Sequence, residues 1–510
     1  MNYLLTISAS AGDRFSGYTF FSLPLPRGKF HGVVEGVVEE FSKEVTELWP
    51  LAHWPDGSLR IVQGLIPRYA PQVNIKVRAA AESAEFLPEI KAEESFDFGN
   101  HRLNWCKHSK MYQMSFSDLI YFDPKNFSHT FTVGEGELVE CIIAEPARIV
   151  RQQKGWLRIS ALMKGAAKDG KQALHFRVNW DIFDRIAGCV MSVMLIHDCP
   201  KATRITLNAV ESTLAYSDKG GEYKHGVFQK GYGYELLESR HVETAESLDL
   251  RVAGEIFAPK IHNFEVLKDE NEYFPHLSIL ADNVSPISWL GNGRQRVLIE
   301  IEDMPLLRPK GVLLHKGRAS IGFWPKWAGP TEWPQGRRRE IRIALGVEDV
   351  QEETDIGRFQ ARTAALLDTQ RAQLAPEVYR SVGFFDMPWL PPCRPDIHPR
   401  VEGWASRIGL FPMHPDFINW GDTPDSHYTR TYLPSGKAPR KKGATEVSPE
   451  LFNIAGRHPT AAGSINSREH VFVNNEYDVL HCLAGGYLRT GNRIYFNQLK
   501  WCSCHTMELE

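Results

Sequence analysis

The sequence predicts a mostly β protein, barrel-like and sandwich-like over its first two thirds, followed by an α-helical segment. Three observations carry this. Short alternating or apolar runs recur between Gly, Pro, Asn and Asp up to about residue 350. A hairpin signal, Trp54-Pro-Asp-Gly-Ser58, sits between two apolar segments, where Asp-Gly supplies the positive-φ pair of a tight turn. Beyond Gly346 the period changes from two to that of a helix.

Taken in order, the strand-like runs are Tyr18 to Leu23, Arg60 to Ile66, Val73 to Arg78, Leu157 to Leu162, Leu174 to Trp180, Arg296 to Ile301 and Glu340 to Leu345. Runs of this length and spacing suit a sandwich or barrel. Gly357 to Leu374 then places Phe359, Ala364, Leu366, Leu367 and Leu374 among Arg, Gln and Asp, the pattern of an amphipathic helix, with Thr354 and Asp355 in N-cap position. A Pro- and Trp-rich stretch from Met387 to Pro395 and a basic run from Gly436 to Gly443 read as loops, the basic run as a solvated one. Helical character returns from Asn475 to Leu488 and, after Thr490-Gly491-Asn492, from Arg493 onward.

Composition narrows the function classes. With 59 Lys+Arg against 62 Asp+Glu, the net charge is −3, which argues against a dedicated nucleic-acid binder. Apolar runs such as Ala187 to Ile196 fall short of the ~20 residues that span a bilayer, so no membrane partner is expected. The start, Met1 to Ile7, lacks a basic n-region and turns polar at once, reading as a strand and not a leader; a cytoplasmic location is the expectation. The 8 cysteines show no paired metal-type spacing, H-E-x-x-H and phosphate-loop patterns are missing, and the scattered histidines at 53, 101, 108, 175, 197 and 276 read as satisfied polar groups. No metal site and no cofactor are expected, calcium being the one that polyuronate chemistry would invite and that spacing does not support.

Two stretches carry a family likeness. Phe21-Ser-Leu-Pro-Leu-Pro-Arg-Gly28 followed by Leu51-Ala-His-Trp-Pro-Asp-Gly-Ser-Leu-Arg60 resembles the opening of the exo-rhamnogalacturonan lyase-like (YetA-like) family. Asn419-Trp-Gly-Asp422, Asn474-Asn-Glu-Tyr-Asp478, Leu488-Arg-Thr-Gly491 and Cys504-His-Thr506 are similar to the start of its α/α toroid, and Gly322-Phe-Trp-Pro325 to its central sandwich. The resemblance implies a RIFT barrel over 1–80, a β-sandwich over 81–350 and a toroid over 351–510. It further implies cleavage of an acidic polysaccharide, rhamnogalacturonan or a relative, by β-elimination. Twelve helices of ~11 residues with loops of ~5 need roughly 190 residues, more than remain, so the ring is expected to be incomplete.

β-Elimination at a uronic acid needs a group to neutralise the carboxylate, a base for C5–H and an acid for the leaving oxygen. Arg suits the first task and His or Tyr the others. His427-Tyr428-Thr429-Arg430 follows Trp420-Gly421-Asp422 on a loop. Tyr428 or His427 is the expected proton-transfer residue and Arg430 the carboxylate partner, with His505 on the same cleft. Asp422 is a sugar contact or a positioner of His427. Trp420, Asn475 and Tyr477 are the other expected contacts there, while Asn474 equally serves as a helix cap. Trp324, Trp327 and Trp333 lie beside Arg337-Arg338-Arg339; Trp324 stacking on a sugar and Arg338 on a uronate would make a subsite, and tryptophans packing a sandwich edge are the alternative. The two functional readings are thus a lyase of acidic glycans and a catalytically incomplete carbohydrate-binding relative of one.

Overall fold

The computed structural model describes residues 1–7, 18–39, 44–66, 72–80, 93–216, 224–231, 241–244, 247–252, 264–268, 272–273, 284–291, 295–304, 307, 309–315, 317–349, 362–363, 366–367, 370–383, 479–490 and 493–509. Its first unit is a closed barrel of β1 (Asn2–Ile7), β2 (Thr19–Pro24), β3 (Val34–Val38), β4 (Glu44–His53), β5 (Leu59–Ile66) and β6 (Gln72–Ala79). In β6 the alternation puts Val73, Ile75 and Val77 inside and the residues between them outside, the period of a half-wet strand. The expected turn joins β4 to β5. Of the expected positive-φ pair only Gly57 is positive, at φ +80°, and Asp56 is not; the Gly57 amide donates to the Trp54 carbonyl at 2.9 Å, and Asp56 Oδ1 accepts from the Ser58 amide at 3.0 Å.

Next come a four-stranded meander, β7 (Phe96–Phe98), β8 (His101–Cys106), β9 (Met111–Phe116) and β10 (Leu119–Phe122), and then two nine-stranded sheets. Their strands are β11 (Phe127–Val133), β12 (Glu137–Glu140), β13 (Ile142–Gln153), β14 (Trp156–Ala166), β15 (Ala173–Phe183), β16 (Gly188–Ile196), β17 (Arg204–Ala215), β18 (Lys224–Gly231), β19 (His241–Thr244), β20 (Ser247–Val252), β21 (Phe264–Lys268), β22 (Glu272–Tyr273), β23 (Val284–Gly291), β24 (Gln295–Ile301), β25 (Lys310–His315), β26 (Arg318–Trp324), β27 (Thr331–Pro334) and β28 (Arg338–Asp349). Sheet I runs β13-β14-β15-β16-β28-β24-β23-β18-β19; sheet II runs β12-β11-β17-β26-β25-β20-β21-β22, with β27 on β17. One apolar core, including Ile159, Phe176, Trp180, Met191, Ile343, Phe131, Phe323 and Trp324, lies between them. All seven strand-like runs read from the sequence are strands. In β16 the run is almost continuously apolar and buried, because both faces of sheet I are covered there.

The segment after the sandwich departs from expectation. Residues 362–363 and 366–367 are helical, but Gln370–Leu374 is β29, the seventh barrel strand, antiparallel to β1 and parallel to β2. Its pattern is helix-compatible; the unfilled gap between β1 and β2 decides the outcome, since pairing there satisfies backbone groups and buries Leu374 in the barrel core. The barrel therefore does not end at residue 80. Thr354 and Asp355 lie outside the described residues. Helices α1 (Pro376–Ser381), α2 (Val479–Thr490) and α3 (Arg493–Leu509) follow, the last two where the sequence placed them. Among the described residues, no helix is long and apolar enough to cross a membrane.

Candidate functional site: the outer face of sheet I

Register fixes which side chains share a face, because directly paired residues of neighbouring strands point the same way. The outer face of sheet I carries three such rows. The first is apolar, pairing Trp156 with Phe183 and, across the sheet, Gly346 with Leu298 and Leu298 with Trp289. The second runs Arg158, Asp181, Val190, Ala344, Glu300. The third runs Ser160, Asn179, Ser192, Arg342 and continues to Glu302, whose amide donates to the Arg342 carbonyl at 2.8 Å.

The barrel rests on the first row. Tyr18, Leu65, Trp156, Phe183, Ile186, Val190, Ala344, Leu366 and Leu367 form one buried cluster, with Phe20 edge-on to Trp156 at 5.3 Å and Tyr18 stacked on Phe183 at 5.4 Å. At the margin of this seam the Arg151 guanidinium contacts two indoles, 4.7 Å from the ring centroid of Trp49 on β4 and 4.5 Å from that of Trp156 on β14. Arg158 grips Asp181 side-on, Nε to Oδ1 at 2.7 Å and Nη2 to Oδ2 at 2.8 Å, and Trp156 Nε1 donates to the same Oδ1 at 3.0 Å. Burial opposes the charge on Arg158, and Asp181 outweighs it, raising its pKa. Arg151 differs: burial, then repulsion from Arg158, pulls its pKa down to about 10. Burial also raises the Glu47 carboxyl on β4, against the pull of Arg151.

The opposite end of the face is held by α3. Glu302 accepts from Arg342 Nη1 at 2.9 Å and from Lys500 Nζ at 2.8 Å, and Trp501 Nε1 donates to Asp303 Oδ2 at 3.1 Å. Leu307, Leu483, Tyr495 and Cys502 close over an apolar cluster beside these pairs. Burial works against the Glu302 charge, yet Arg342 and Lys500 overcome it and hold the carboxyl down at about 2. Between barrel and helix, Arg158, Ser160 and Asn179 remain partly open. Such a face can donate to and accept from hydroxyl groups and present guanidinium to an acid.

Of the residues singled out from the sequence, Trp420, Asp422, His427, Tyr428, Arg430, Asn475 and Tyr477 lie outside the described residues. His505 lies in α3 and is 2% exposed, a buried packing position and not an open cleft wall. Trp324 requires correction as a sugar platform: it is 1% exposed in the core between the sheets, its Nε1 donating to the Gly329 carbonyl at 2.7 Å. Inward-facing register on β26 buries it, so the sandwich-packing alternative holds. Arg338 is exposed and pairs with Ile196, at the rim of the outer face; Trp324 and Arg338 do not share a patch. His101 and His197 are buried and hydrogen-bonded, to Tyr121 and Phe183 and to Trp333 respectively. Among the described residues no three His, Cys, Asp or Glu side chains gather as a metal group would require. Trp49, Arg151, Arg158 and Asp181 were missed; the signal was the Trp156-x-Arg158 spacing, which puts both on one strand face.

No protein-family model matches the chain, and no curated protein matches it by sequence. Among solved structures, an α-mannosidase from Enterococcus faecalis V583 aligns at 9% identity and TM-score 0.37, over 73% of this chain and 45% of that one. A galactose mutarotase-like protein from Lactobacillus casei ATCC 334 aligns at 9% identity and TM-score 0.27, over 50% of this chain and 99% of that one. The galactosidase domain of α-galactosidase-sucrose kinase AgaSK aligns at 7% identity and TM-score 0.27, over 43% and 30%. The chain thus spans less than half the length of the mannosidase it matches. These likenesses are distant, and all three proteins are named for sugar chemistry.

Proposed function

We propose that this protein acts on acidic glycans, rhamnogalacturonan or a relative, as a polysaccharide-lyase-like enzyme that cleaves by β-elimination. The observation that supports it is the outer face of sheet I, where Ser160 and Asn179 pair directly, one row from Arg158, and all three remain partly open beside an aromatic seam. The hydroxyl and amide side chains suit ring hydroxyls, and the exposed end of Arg158, whose inner edge is held by Asp181, adds positive charge for a uronate. In the elimination, the base takes the C5 proton, the released pair forms the C4–C5 double bond, and the C4–O bond breaks as the acid protonates the leaving oxygen. Tyr428 and His427 are proposed for proton transfer, Arg430 for the carboxylate, and Trp420, Asp422, Asn475 and Tyr477 for sugar contacts. Incubation with rhamnogalacturonan should yield the ultraviolet absorbance of unsaturated uronate, and Tyr428→Phe or His427→Ala should abolish it. Unchanged turnover in both variants would remove those assignments.

A second reading, carbohydrate binding without cleavage, is favoured by the same face, because Ser160 and Asn179 can hydrogen-bond ring hydroxyls without any proton transfer. Glycan binding with no unsaturated product would select it.

A further inference from the structure

We propose that Arg151, in the seam between barrel and sandwich, is a subsite for the carboxylate of an acidic sugar; this rests on the acidic-glycan reading above and names the residue that grips the acid. Nε and Nη2 together form the side-on edge of a guanidinium, the edge that holds a carboxylate through two parallel hydrogen bonds. On Arg158 that edge is filled by Asp181 at 2.7 and 2.8 Å. On Arg151 both atoms are buried, and neither meets a hydrogen-bond partner among the described residues. Leaving buried donors of a charged group unmet is unfavourable, so a fold that keeps them so gains when an anion arrives.

The surroundings hold the cation and leave that edge unpaired among the described residues. The guanidinium carbon lies over two indole rings, 4.7 Å from the Trp49 centroid and 4.5 Å from that of Trp156, contacts that stabilise the cation without taking up its hydrogen-bond donors. The neighbouring acids do not serve it. Both oxygens of Asp181 are occupied by Arg158 and Trp156. Glu47 interacts with Arg151 through charge, and no hydrogen bond joins the two among the described residues. A second cation, Arg158, adds to the local preference for an anion. The two walls are unequal: Trp156 is 4% exposed and tied to Asp181, whereas Trp49 is half-buried on a barrel strand. The sugar acid therefore enters on the Trp49 side.

The test uses the full chain with two probes, digalacturonate and its neutral counterpart galactobiose, read by calorimetry and by tryptophan fluorescence, with thermal unfolding confirming that each variant is folded. Wild type is expected to prefer the acid at least tenfold. Arg151→Lys keeps the charge and loses the fork, and should weaken the acid at least tenfold while leaving galactobiose unchanged. If Arg151→Lys does not fold, Trp49→Leu, which removes one wall, should weaken the acid severalfold. A folded Arg151→Lys, or Trp49→Leu in its place, that binds digalacturonate as wild type does overturns the subsite and leaves the glycan reading standing. Wild type that binds neither these probes nor rhamnogalacturonan oligosaccharides overturns both.

Discussion

Replacing Glu302 by Gln should release helix α3 from the sandwich. The side chain is 17% exposed and stands between Arg342 and Lys500 at 2.9 and 2.8 Å. Its carboxyl drops from an ordinary 4.5 to about 2, and at ~1.4 kcal/mol per pKa unit the folded state favours the charged form by roughly 3 kcal/mol. A folded pKa below the unfolded one means that this stability is fully present above about 4.5 and is lost as pH falls toward about 2. Gln keeps the shape, drops the charge and leaves two cations facing each other, with Asp303 3.8 Å from Lys500 and the charges of Asp181 and Glu340 acting on Arg342. Because a chain of several units need not unfold in one step, the readout should be local: amide hydrogen exchange along 493–509. In wild type, protection of α3 at neutral pH should exceed that of Glu302→Gln by on the order of a hundredfold. Acidification through the window above should erode wild type toward the variant, whose own protection stays flat. Equal protection of the two proteins at neutral pH would refute the reasoning.

Two further perturbations test the architecture. Gly188 sits at φ +137° where a Cβ would come within 2.1 Å of the Leu345 carbonyl oxygen; backbone cannot step aside, so Gly188→Ala should cost at least the ~1–3 kcal/mol of overpacking, measured by denaturant midpoint. Leu374→Ala should lower barrel stability by about 2–5 kcal/mol and expose β1 and β2 to limited proteolysis, although the residue lies beyond the sandwich in sequence; wild-type resistance would mean that 370–374 does not close the barrel.

How much of this was legible varies with the distance over which each feature is decided. The strands Val73 to Arg78 and Leu174 to Trp180 show their alternation locally, and the turn at Gly57 carries its own φ requirement, so both emerge from local residue order, although Asp56 does not share the positive φ expected of it. Helices α2 and α3 have the same local warrant. Leu366 to Leu374 does not: its spacing suits a helix as well as a strand, and the barrel's open edge, built by residues more than three hundred positions earlier, selects the strand for its last five residues. Trp324 failed for a similar reason. A tryptophan beside arginines looks like a sugar platform until the pairing of β26 with β17 and β25 turns it inward.

The outer face of sheet I shows why the candidate site was hidden. Each row joins residues that are far apart in sequence, and Ser160, Asn179, Ser192 and Arg342 become neighbours only through three successive pairings. A slip of one residue in any of them would send a polar side chain into the core and an apolar one outward, so the apolar inward set, Ile159, Val178, Val193 and Ile341, enforces the polar outward set as a by-product of its own burial. The core thus specifies the site. Because the barrel covers one end of the face through Trp156 and Phe183, and α3 covers the other through Lys500, the stretch around Arg158, Ser160 and Asn179 is the part left partly open, and Arg151 stands at its barrel-side margin.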